Sequence, residues 1–267
     1  MARALAALVA LLLALAPSAA AGDAAERAAV FAGTGVWVDI YDPYHARPDA
    51  AVAIAARYGV DAIYVETGNS TQALSVVRKP ELRRLVQLAH ARGIRVISWY
   101  LLDLVRPGRD LRRLIEAARL GPPGDRVDGV GVDIEASTVR DPVERTRRLV
   151  RVVDALRRAR PTLAIGAITP SPPGMARLPR YWPGFPYAAL RVSSDAFLPM
   201  CYASYRSLDV AGTHRYARAC VDGIREGTGD PDVPIHVIGG IAGDLSTREM
   251  VALARGARQR RVAGFSL

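Results

Sequence analysis

The chain has 267 residues, a formal net charge of +10 and two cysteines. So few cysteines exclude a disulfide scaffold. The charge raises nucleic-acid binding only to have it set aside, because pairs such as Arg83–Arg84, Arg112–Arg113 and Arg147–Arg148 lie on amphipathic helical stretches with no recognition motif beside them.

In chain order, the first 21 residues carry one basic residue, Arg3, an apolar run from Ala4 to Ala16, then Pro17 and small residues to Ala21. This is the layout of an export signal, and the run is too short to span a bilayer comfortably. The expectation is a signal peptide over 1–21, a secreted or extracytoplasmic mature chain without a membrane span, and some attraction to anionic cell-wall polymers. About 245 residues remain, which suits one α/β domain over 22–267.

Eight apolar runs rich in Val and Ile follow, each bounded by Gly, Pro or Asp: Val36–Tyr41, Val60–Glu66, Ile94–Tyr100, Val127–Glu135, Leu163–Ile168, Ala196–Tyr202, Val233–Gly239 and Val262–Leu267. Helical periodicity separates most of them, over Ala50–Tyr58, Glu81–Arg92, Asp110–Arg119, Pro142–Arg160, Ala211–Glu226 and Thr247–Arg258. Eight strands, most of them followed by a helix, predict a (β/α)8 TIM barrel. An open doubly wound sheet is the alternative, weakened because no Gly-rich phosphate loop follows the first strand.

Two departures are expected. Thr169–Asp195, rich in Pro, Gly and aromatics, reads as a long loop over the barrel mouth, with a short helix near Tyr187–Val192. No helix follows the eighth strand, so either residues 23–35 substitute for it or the chain is incomplete. An exported chain permits a Cys201–Cys220 bridge, the alternative being two buried thiols.

Barrel enzymes gather reacting groups at the carboxyl ends of their strands. The fourth strand reads Asp128-Gly-Val-Gly-Val-Asp-Ile-Glu135, and alternation puts Val130, Val132 and Ile134 on one face and Gly131, Asp133 and Glu135 on the other. Two carboxyls then share the barrel interior, where burial and repulsion raise at least one pKa and make a general acid. His45, His90, His214 and His236 show no metal-ligand spacing and no nucleophile elbow is present, so no cofactor is called for, although Asp39, Glu66 and Asp133 could in principle share a metal.

The run Asp128 to Glu135 resembles the fourth-strand signature of glycoside hydrolase family 18, the chitinase family. Asp128, Asp133 and Glu135 match; Gly131 stands where that family has its middle aspartate. Leu198-Pro-Met-Cys-Tyr202 is similar to the family's sixth-strand Met-x-Tyr segment, with Ala203 in place of the following aspartate, and Leu163-Ala-Ile-Gly-Ala167 is weakly similar to its fifth strand.

The resemblance implies hydrolysis of a β-linked N-acetylglucosamine-containing polysaccharide, chitin-like or peptidoglycan, assisted by the substrate's own acetamido group. Glu135 would protonate the glycosidic oxygen, Asp133 would accept the acetamido N–H, and Tyr202 would donate to the acetamido oxygen. Gly131 implies weak activity, a water in the gap, or a binding protein with a relic site. From the strand ends, Trp37, Asp39, Glu66, Trp99, Tyr100 and Met200 are expected to contact substrate. Tyr41 would flank Asp39, and Trp182 would suit a glycan groove or brace the loop.

Two alternatives stay open. One is a lysozyme-like muramidase of glycoside hydrolase family 25, in which Asp39 would be essential. The other is a non-catalytic chitinase-like glycan-binding protein. The sequence carries no signal of oligomeric state.

Overall fold

The computed structural model describes residues 19–135 and 137–267. The expected signal peptide over 1–21 lies outside them save for its last three positions. Helix α1 (Ala19–Ala29) leads into β1 (Gly33–Val38), α2 (Pro48–Arg57), β2 (Ala62–Asn69), α3 (Lys79–His90), β3 (Arg95–Leu101) and α4 (Pro107–Ala117). Then come β4 (Gly129–Asp133), α5 (Pro142–Ala159), β5 (Ala164–Pro170), two short helices, α6 (Pro172–Arg177) and α7 (Tyr187–Ser193), and β6 (Ala196–Met200). The chain continues through α8 (Val210–Thr228), β7 (His236–Ile238), α9 (Thr247–Gln259) and β8 (Gly264–Ser266).

Among the described residues eight strands, all parallel to their neighbours, close in sequence order into a barrel, with β8 pairing β1 through Gly33 opposite Gly264. Alternation decides what each strand buries. Val65, Val96, Val130 and Val132 face outward into the layer beneath the helices. Tyr64, Ile97, Ile168, Leu198 and Ile238 face inward with Phe31 as a separate cluster.

Phe31 explains where the residues before β1 go. Its ring enters the amino-terminal end of the barrel, over Gly166, where an added Cβ would lie 2.8 Å from Phe31 Cε1. Arg95 holds this segment by donating to the carbonyls of Ala29 at 2.6 Å, Val30 at 3.1 Å and Ala32 at 2.6 Å, and Arg27 Nε pairs with Asp195 Oδ1 at 2.8 Å. Residues 23–32 therefore close the barrel floor, 33–35 enter β1, and the segment does not stand in for an eighth helix. The reason is physical: Phe31 is fully buried only inside the ring. On the outer side of β1, Val36 and Val38 look onto α2 across an apolar groove of about 350 Å³ that Leu267 borders.

The Pro-rich stretch after β5 is more ordered than a plain loop. Ser171 caps α6 by accepting from Gly174 N at 3.2 Å. Trp182 is 3% exposed, donates from Nε1 to Thr146 Oγ1 at 2.9 Å and lies under the Arg145 guanidinium, 4.1 Å from its ring centroid. It braces the stretch against α5 and offers no face to a glycan. Cys201 and Cys220 are joined, with Cα atoms 6.2 Å apart, which ties the segment after β6 to α8.

At the floor, His90 in the last turn of α3 bridges two carboxylates: Asp125 Oδ1 at its Nδ1, and Asp128 Oδ2 at its Nε2, 2.9 Å away. Asp128 Oδ2 also accepts from Val96 N at 2.7 Å, so this residue of the motif serves the fold. Burial alone would lower the His90 pKa, but the hydrogen bonds to both aspartates outweigh it and the pKa is raised. A histidine raised on folding contributes fully below its unfolded pKa near 6.5 and loses that contribution as pH rises through the folded value. Urea titrations of wild type and His90→Asn should therefore differ most below about pH 6.5, by about 1 kcal/mol once solvent screening is counted, and converge at alkaline pH. A pH-independent difference would refute the linkage.

Candidate active site

Strand β4 ends at Asp133, but Ile134 N still donates to Ile168 O at 3.0 Å, so extended geometry carries one step further and sets Glu135 on the same side as Asp133. Val130, Val132 and Ile134 on the opposite side are fully buried under the helices. The apolar face thus fixes which way the two carboxyls point.

They open into a cleft of two lobes that share Glu135, Met200, Tyr202 and Tyr205. The larger lobe, about 430 Å³, sits over the barrel axis and is lined by Trp37, Asp39, Trp99, Asp133, Ile168 and Ile238, among others. The smaller, about 260 Å³, lies under the β5–β6 connection against Ser171, Met175, Leu178, Tyr181, Arg206 and Tyr216.

Asp133 is 5% exposed, and its Oδ1 has no hydrogen-bond partner among the described residues. Burial raises its pKa well above the ordinary carboxyl value, and the charges of Glu135 and Glu66 push the same way. Glu135 is open to solvent yet ringed by the walls of both lobes, and this partial desolvation raises its carboxyl too. Tyr181 donates to the Glu135 carbonyl at 2.7 Å and so anchors the residue's backbone. Burial, with help from Asp133 and Glu135, raises the Tyr202 phenol, which stays a neutral donor. Trp99 Nε1 is a second buried polar atom in the larger lobe without a partner among the described residues.

Glu135, Asp133, Tyr202, Trp37, Asp39, Trp99 and Met200 are thus brought together around one cleft. Trp37 stacks on Tyr64, with centroids 4.4 Å apart, and donates from Nε1 to Ser266 Oγ at 2.7 Å, which presents its upper edge to the cleft. Asp39 lines the rim, where its Oδ1 accepts from Tyr41 N at 2.7 Å and Asp42 N at 2.9 Å. Tyr41 itself is 77% exposed and borders neither lobe.

Two expected contacts are corrected. Tyr100 has the opposite parity to Trp99 and turns outward, its hydroxyl donating to Asp110 Oδ1 at 3.0 Å beneath α4. Glu66 points inward but is used by the fold, accepting from Ile40 N at 3.1 Å and Asn69 Nδ2 at 3.4 Å, and it lines neither lobe.

At Gly131 the position of a side chain is already filled. A Cβ there would lie 2.7 Å from Ile168 Cδ1 and 3.0 Å from Trp99 Cβ, so hydrocarbon occupies the place of the family's middle aspartate. Ala203 is equally closed in: it is 1% exposed in a 3-10 turn, its N–H donating to Gly239 O at 3.1 Å. No group of three or more His, Cys, Asp or Glu side chains is placed to hold a metal ion among the described residues.

The smaller lobe was not foreseen residue by residue. Ser171, Met175, Tyr181, Arg206 and Tyr216 come from an aperiodic stretch, a loop and a helix, and only the clustering of aromatics after β5 hinted at a wall over the mouth.

No protein-family model matches the chain, and no curated protein matches it. Solved structures do share its architecture. Active domain 2 of chitinase from Pyrococcus furiosus aligns with a TM-score of 0.62 at 14% identity, covering 88% of this chain and 82% of that one. A putative deoxyribose-phosphate aldolase from Coccidioides immitis gives 0.58 at 9% identity, covering 90% and 82%. The Bacillus cereus spore cortex-lytic enzyme SleL gives 0.58 at 7% identity, covering 88% and 70%. The common property is the (β/α)8 barrel, which hosts unrelated chemistries.

Proposed function

We propose that this chain is an exported glycoside hydrolase that acts on a β-linked polymer containing N-acetylglucosamine, with Glu135 as general acid. The observation that carries the reading is the buried, unpartnered Asp133 Oδ1 in the larger lobe, with Glu135 where the two lobes meet. A buried acceptor without a donor is costly unless a ligand supplies one, and an acetamido N–H is such a donor.

With a sugar acetamido group on Asp133, its oxygen attacks the anomeric carbon while Glu135 gives its proton to the departing glycosidic oxygen. Water then opens the cyclic intermediate and returns a proton to the Glu135 carboxylate. Tyr202, held neutral, can donate to the acetamido oxygen.

Chitinase and SleL neighbours favour a glycan substrate; aldolase neighbours favour carbonyl chemistry. The side chains separate the two. A Schiff-base reaction needs a desolvated amine, and the chain's one lysine, Lys79, is exposed in the first turn of α3 and lines neither lobe. Export is supported by the amino-terminal layout and by the Cys201–Cys220 bridge, which persists in oxidising surroundings. The test is hydrolysis of N-acetylglucosamine oligomers beside β-linked glucose oligomers of equal length. Only the former should be cut; equal rates would remove the acetamido group from the mechanism.

The muramidase reading makes a different claim about Asp39. Because that residue caps a turn through one oxygen, which an asparagine also offers, Asp39→Asn is expected to keep kcat/KM within about threefold. A loss of about 100-fold would mark Asp39 as an acid–base residue and favour the muramidase.

A further inference from the structure

We propose that the smaller lobe is a subsite for a carboxylate-bearing sugar on the leaving-group side of the scissile bond, with Arg206 as the specificity-determining residue. This rests on the glycosidase reading for its polarity: if Asp133 holds the acetamido group in the larger lobe, a glycosidic bond at Glu135 directs the departing sugar into the smaller one.

Arg206 lines that lobe, and its side chain has no ion pair and no hydrogen bond among the described residues, although Nε is buried. Several part-buried arginines elsewhere on the barrel are paired, among them Arg109 with Asp103, Arg148 with Glu144 and Arg157 with Asp195; Arg218 also has a buried Nε without a partner among the described residues, but it lines neither lobe. Nor is the Arg206 charge spent on the general acid, since no hydrogen bond or ion pair joins the two side chains among the described residues, although both border the smaller lobe.

The surroundings are shaped to the group. A Cβ on Gly174 would lie 3.0 Å from Arg206 Nη2, so the glycine leaves room for the guanidinium in the lobe. The Tyr216 ring lies 5.8 Å from Arg206 Cζ, and its hydroxyl is fixed by Ser171 Oγ at 2.9 Å. Met175 and Leu178 supply an apolar wall for the C–H face of a sugar. A planar guanidinium with free donors in a partly desolvated pocket selects a carboxylate, which it binds through two parallel hydrogen bonds. A neutral sugar leaves that charge unanswered.

The test compares two tetrasaccharides of alternating N-acetylglucosamine and N-acetylmuramic acid, one with free lactyl carboxyls and one with the carboxyls methyl-esterified. Titration calorimetry on full-length Glu135→Gln protein avoids turnover. The free acid is expected to bind roughly tenfold tighter at low salt, with the gap narrowing in high salt. Adding Arg206→Gln should bring the ratio to about one, while Arg206→Lys should keep part of it. Equal binding of acid and ester, binding of neither, or a preference that survives Arg206→Gln would overturn the proposal. Failure of the glycosidase reading looks different: wild-type protein would cut no oligomer, yet the Arg206-dependent preference would persist.

Discussion

Replacing Glu135 by glutamine is expected to lower kcat on N-acetylglucosamine oligomers by about 10²–10⁴-fold, the range for loss of a positioned general acid, with little change in affinity. The substitution keeps size and hydrogen-bonding capacity but removes the proton that the leaving oxygen needs. The separation of kcat from binding follows from geometry, because Asp133, Trp99 and Tyr202 still line the larger lobe.

The pH profile adds a second readout. The Glu135 carboxyl is raised by desolvation, and Asp133 beside it by burial and by the Glu135 charge. Activity needs the protonated acid, so it should hold on the acidic side of the raised pKa and fall as pH climbs through it. Both carboxyls contribute to that limb, and its midpoint belongs to the pair. In Glu135→Gln the residual rate should lose the part of this decline that belongs to Glu135, so that the profile flattens and its midpoint shifts. Wild-type turnover by Glu135→Gln would place the chemistry elsewhere.

Gly131→Asp, which places a carboxyl between Asp128 and Asp133 on the inner face of β4, is expected to destabilise the protein by about 2–4 kcal/mol and to leave kcat no higher. The new Cβ would stand 2.7 Å from Ile168 Cδ1 and 3.0 Å from Trp99 Cβ. Overpacking a filled core typically costs about 1–3 kcal/mol, and a third carboxyl next to two whose pKa values are already raised adds a desolvation penalty. The Ile168 methyl is the far end of a flexible side chain, so the clash should be partly relieved by Ile168→Ala. Urea denaturation of both single variants and the double variant forms a cycle in which the double variant loses less than the single losses combined. A Gly131→Asp protein as stable as wild type would show that Ile168 turns aside freely and that the gap is real.

Much of the barrel was readable because its strands announce themselves as short runs rich in Val and Ile, with a Gly, Pro or Asp at each end. The same alternation made Asp133 and Glu135 legible as a pair. It should also have separated Trp99 from Tyr100, since Trp99 lies in register with Gly131 on the interior face and its neighbour must point away. Glu66 was placed on the correct face but given the wrong task, because a sequence does not show that Ile40 N needs an acceptor there.

Residues 19–32 were illegible for another reason. Phe31 becomes a floor plug only through its fit over Gly166, a contact between residues far apart in the chain. Arg206 and Tyr181 come from connections whose conformation follows from tertiary packing and carries no periodic signal.

The pairing of β8 with β1 has a bearing on how the molecule assembles. Trp37 and Ser266 are bonded across a separation of 229 residues, so the ring cannot shut until its last strand is available, and contacts of such span make for slow folding. Until then Trp37 lacks its Ser266 partner and the larger lobe lacks a wall. Binding competence in the larger lobe is therefore the last property the folding chain acquires.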